Sequence, residues 1–90
     1  MSNAMIELIK RVVYRRAADR LKPEAARARA EHLIRTHASE NLSFHEDGEY
    51  IRIVQCVCPL GNPEPIFNTE YLRKDQLTSD QLDYILQHLN

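Results

Sequence analysis

The chain has 90 residues, 12 Lys or Arg against 13 Asp or Glu, two cysteines and two glycines, and a formal charge of −1. At this length folding buries only roughly 60% of the unfolded surface, so the core is thin and association with another chain is a fair expectation. The same composition argues against a disulfide framework and a Gly-rich phosphate loop, and no run approaches the ~20 apolar residues of a bilayer span or forms a signal-peptide core.

A cytoplasmic protein of one α+β domain is therefore expected, spanning residues 5–90. Residues 1–4, MSNA, precede a second methionine without joining any pattern and read as an expression-tag remnant. The near-zero charge hides an asymmetry. Residues 5–38 hold nine Lys or Arg and four acids, whereas residues 39–90 hold three and nine. A +5 half and a −6 half can attract each other within or between chains, or the basic half can face nucleic acid.

The first segment, MIELIKRVVYRRAADRL, has helical periodicity. At about 100° per residue, Ile6, Ile9, Val13, Ala17 and Leu21 fall within a band of roughly 120°, the apolar stripe of an amphipathic helix. Arg11, Arg15 and Lys22 gather on the far side as a basic ridge. Pro23 then suits the first position of a second helix, where its missing N–H is no loss. That helix, PEAARARAEHLIRTHA, aligns Ala26, Ala30, Leu33, Ile34 and His37, and its small residues allow close approach to a neighbour. So short a connection predicts a corner or sharp kink between the two helices.

Next, NLSFHEDGEYIRIVQCV reads as a β-hairpin. Asp47-Gly48 is a favoured dipeptide for a two-residue type I′ turn, which would pair Phe44 with Ile51 and Leu42 with Ile53. All four then share one face. Ser43, His45, Tyr50, Arg52, Val54, Cys56 and Cys58 take the other. After a Pro-containing loop, the segment Ile66 to Tyr71 can add a third strand, with a short helical turn as the alternative. The C-terminal helix starts at a capping box, Thr78 with Gln81, backed by a Leu77–Leu82 hydrophobic staple. Leu82, Ile85, Leu86 and Leu89 form its apolar stripe, and Asp80 and His88 suit its dipole.

Chemistry-bearing residues are few. Cys56 and Cys58 lie two apart on a strand and project the same way. His45 shares their face but stands about 20 Å along it, beyond coordination range. His32 and His37 are not at the i, i+4 spacing that shares a metal. No metal, cofactor or catalytic set is therefore expected, and the thiols read as small hydrophobes covered by a neighbouring layer. His37 reads as a core or interface histidine, while His45, flanked by Glu46 and Asp47, reads as solvated and favoured in its charged form.

Three functional readings follow, in order of support. The first is a non-enzymatic interaction module acting as a homodimer or with a protein partner, on the strength of the thin core and divided charge. The second is nucleic-acid binding by Arg11, Arg15 and Lys22, with Arg29 and Arg35 added. Against it, the arginines of the second helix are spread around its circumference. The third is a thiol-dependent activity at Cys56 and Cys58, which would need a positive microenvironment to stabilise thiolate.

Overall fold

Residues 3–61 and 63–90 are described by the structure, a computed structural model. The elements run α1 (Asn3–Arg20), α2 (Pro23–Arg35), β1 (Leu42–Asp47), β2 (Tyr50–Val57), β3 (Ile66–Arg73), a 3₁₀ turn (Lys74–Gln76) and α3 (Ser79–Gln87). This is an α+β fold with one antiparallel sheet of order β1-β2-β3. The helices lie on both of its faces, α2 and α3 on one and α1 on the other.

Alternation along the strands sets the faces. Leu42 and Phe44 of β1, Ile51 and Ile53 of β2, and Leu72 of β3 pack into one cluster with Ala30 and Leu33 of α2, Leu77, and Ile85 of α3. Phe44, Ile51, Leu72 and Ile85 are its largest fully buried side chains. Ala26 and Ala30 are wholly buried, as expected of small residues bringing a helix backbone close to its neighbour. No residue of α1 belongs to this cluster among the described residues.

The hairpin register differs by two residues from the one expected. Asp47 pairs with Tyr50 and Phe44 with Ile53, not with Ile51. The loop is thus Gly48-Glu49, and positive φ occurs at Gly48 (60°) but not at Glu49, the pattern of a type II′ turn with Gly first. A shift of two leaves every side chain on its expected face, so the apolar pattern does not distinguish the two registers. The segment from Ile66 is a strand, paired with β2 from Val57↔Ile66 to Tyr50↔Arg73.

At α3 the capping box is present. Gln81 N–H donates to Thr78 Oγ1 (3.1 Å), and Thr78 N–H to Gln81 Oε1 (3.2 Å). The stripe is shorter than expected: Ile85 is buried and Leu82 half-buried, but Leu86 and Leu89 remain 37% and 40% exposed. The helix ends at Gln87 and the chain then lies beside β1, where Asn90 N–H donates to Phe44 O (3.0 Å).

Between α1 and α2 the chain turns around the β3 edge. Lys22 is extended and Pro23 opens α2, while Gln76 Nε2 donates to the Leu21 carbonyl (2.8 Å) and holds the corner. The consequence is that α1 crosses the sheet face opposite the core.

Candidate functional site

The contact between α1 and the sheet is built from polar and aromatic groups. Arg15 pairs with Asp47 at the end of β1 (2.8 Å), and its guanidinium lies 5.1 Å from the Tyr50 ring centre and 5.5 Å from that of Tyr71. Tyr50 Oη donates to Asp19 (2.9 Å), which also faces Arg73 (3.9 Å). Burial works to raise the Asp47 carboxyl pKa. The hydrogen bond and charge of Arg15 outweigh it, with Tyr71 and Arg11 adding to the effect, and hold it below the usual value. These pins all fall on the C-terminal half of α1.

The N-terminal half runs on along β3 and leaves a cavity beneath it. About 430 Å³ is enclosed by Glu7, Lys10, Arg11 and Tyr14 of α1 with Arg52, Phe67, Asn68, Thr69 and Tyr71 of the sheet. Its lining is basic and aromatic. Beside it, His45 is half-buried and hydrogen-bonded with Ser43 Oγ (3.0 Å). Burial, then the charge of Arg52, push its pKa down. That reverses the expectation of a solvated His45 kept charged by neighbouring acids.

The pins also fix how α1 is rotated. Ala18 is buried against the sheet, and Ile9 lies about 180° from it on a helical wheel. Met5, Ile6, Leu8, Ile9, Val12 and Val13 are 38–58% exposed. From Ile6 to Ala17 the apolar stripe expected to face the core therefore points away from it, although Leu21 at its end does pack against the core, while Arg11 and Arg15 of the expected outer ridge face the sheet. Arg15 is the cation paired with Asp47, beside a hydrogen bond from Tyr71, and an apolar stripe laid there would have taken that cation away from the half-buried carboxylate.

The other candidate residues are dispersed. Lys22 lies exposed at the helix corner. Arg29 forks onto Glu70 on the α2 side of the sheet (2.9 and 2.8 Å), and Arg35 approaches Glu31 one turn away (3.5 Å). Arg11, Arg15, Lys22, Arg29 and Arg35 thus do not form one surface, and three of them already face a carboxylate. His37 stacks near Phe44 (4.6 Å between ring centres) and shares a hydrogen bond with Tyr84 Oη (3.2 Å). Arg52, Phe67 and Tyr71 carried no sequence signal as a group. They converge only through β2–β3 pairing.

Cys56 is half-buried beside β3, and Cys58 is exposed just past the end of β2. The full cover expected over the thiols is not found: Cys56 is partly covered and Cys58 lies beyond the strand, exposed. Desolvation, and then the neighbouring Cys58, raise the Cys56 pKa, which lowers its thiolate fraction. Among the described residues no three His, Cys, Asp or Glu gather as metal ligands, and no helix is long and apolar enough to cross a membrane. No protein-family model, curated protein or solved structure matches the chain.

Proposed function

We propose that the chain is a protein-interaction module that acts as a homodimer, docked through the outer face of α1. The observation that carries this reading is the set of six exposed apolar side chains, Met5 to Val13, on the helix side opposite the sheet. At about 200 Å² for a large side chain, their combined exposure leaves roughly 600 Å² of apolar surface. That is enough for the apolar share of one partner's ~800 Å² in a standard interface.

A second copy suits the patch because it is self-complementary. It is centred near Ile9, and the charges on that side, Arg16 and Arg20, lie only towards the C-terminal end. An antiparallel, two-fold crossing sets apolar on apolar and moves the two arginine pairs to opposite ends. The divided charge carries less of the argument than expected, because Arg15–Asp47, Arg29–Glu70 and Asp19–Arg73 join the halves within one chain.

Light scattering during size exclusion tests the proposal. The expected mass is twice the 10.5 kDa of one chain, persisting at high salt because the contact is apolar. Ile9→Asp and Val13→Asp, on a face that makes no core contact, should each give a folded monomer. A monomeric wild-type chain at micromolar concentration, or a dimer unaffected by both substitutions, overturns the reading.

A further inference from the structure

The cavity lies between α1 and the sheet, on the side of the helix away from the docking face, and a dimer does not account for its lining. We infer that it is a binding site for a small organic phosphate of mononucleotide size, with Arg11 and Arg52 holding the phosphate and Tyr14, Phe67 and Tyr71 flanking a planar group.

Charge is the first argument. The lining contains three cations, Lys10, Arg11 and Arg52, and one acid, Glu7. Glu7 lies 3.9 Å from Lys10. Among the described residues no carboxylate is within ion-pair distance of Arg11 or Arg52, whereas Arg15, Arg29, Arg35 and Arg73 each have one. A surplus of two positive charges facing a concave, partly enclosed space matches the charge of a phosphomonoester near neutral pH.

The second argument is an unsatisfied donor. Arg52 Nε is shielded from solvent and has no hydrogen-bond partner. Arg15 Nε shares that condition, but its guanidinium has Asp47. A shielded donor without an acceptor is costly, and a phosphate oxygen would satisfy it with the fork geometry a guanidinium favours.

Size and wall chemistry select the ligand. A volume of about 430 Å³ is far more than a bare phosphate occupies and falls in the range of small-molecule sites. Tyr14, Phe67 and Tyr71 bring aromatic surface, and Thr69, on the same face of β3, brings a hydroxyl able to hydrogen-bond a sugar or base edge. Phe67 is 63% exposed, so its ring offers a face on which a planar group can stack.

The test is an amide-resonance titration of the full chain at low salt with AMP, adenosine and inorganic phosphate. AMP should give saturable shifts at residues 7–14 and 67–71, and bind at least about tenfold more tightly than either fragment. Arg11→Gln and Arg52→Gln should each weaken AMP by about tenfold or more while keeping the wild-type mass and spectral dispersion. Phe67→Ala should bring AMP close to the affinity of phosphate. Arg11 lies on an exposed helix, so its variant reports even if Arg52→Gln fails to fold. Absence of saturable shifts at millimolar AMP, shifts confined to other surfaces, or wild-type affinity in Arg11→Gln overturns the assignment. Tighter binding of a single-stranded oligonucleotide than of AMP also overturns it.

Discussion

His45 and Asp47 stand on the same sheet face and titrate under opposite influences. Asp47 is held ionised by Arg15, whereas burial and the charge of Arg52 favour neutral His45. Because the folded pKa of His45 lies below the ordinary value near 6.5, the unfolded chain binds the proton first as pH falls. Stability should therefore be intact above about pH 7 and decline as pH drops through the window between that value and the lowered one. Urea unfolding at several pH values should show this slope, and His45→Gln should flatten it. The Asp47 contribution has the same sign but is lost only below the carboxylate range, about pH 4. The sequence neighbours of His45 gave the wrong sign for a concrete reason. Glu46 points to the other face and pairs with Lys74 (2.7 Å), Asp47 is taken by Arg15, and Arg52 stands directly across the strand pair.

Element by element, legibility followed locality. The start of α3 was readable because the capping box and staple lie within a few residues, and the start of α2 because Pro23 marks it. For the hairpin, the faces were readable but the register was not. Asp47-Gly48 and Gly48-Glu49 both make two-residue turns that keep the same alternation, and only the second places Asp47 opposite Tyr50 within reach of Arg15. For α1 the periodicity located a stripe but could not say whether its own sheet or another molecule would cover it. Since α1 adds no described residue to the main core cluster, its attachment should be weaker than that of the strands. In the monomeric Ile9→Asp chain, amide exchange should be faster in α1 than in β2. Arg15→Ala should speed it further and cost about 1–2 kcal/mol in unfolding free energy, from the lost ion pair and aromatic contacts. Equal protection of α1 and β2 in that monomer would contradict the weak attachment.

For the whole molecule, the thin core and the α+β class were both legible from length and pattern. The meaning of the charge division was not, since the ion pairs that use it depend on which helix meets which strand. If the roughly 600 Å² of apolar surface on α1 is covered by a second copy, as proposed, folding is linked to association. Its melting temperature should rise with protein concentration, and that dependence should vanish in Ile9→Asp, as read by calorimetry over a hundredfold range. A concentration-independent melt of the wild-type dimer would mean that the contact adds nothing to fold stability.

The separation of α1 from its seat also bears on the order of events during synthesis. The helix ends at Arg20, but β3, which it packs along, begins at Ile66. At roughly 5–20 residues per second, the ribosome displays α1 for several seconds before the sheet exists. During that interval its apolar stripe stands without the sheet beside it. If the proposed dimer joins through α1, two neighbouring ribosomes on one message can pair their products before either has folded, so that assembly precedes the fold instead of following it.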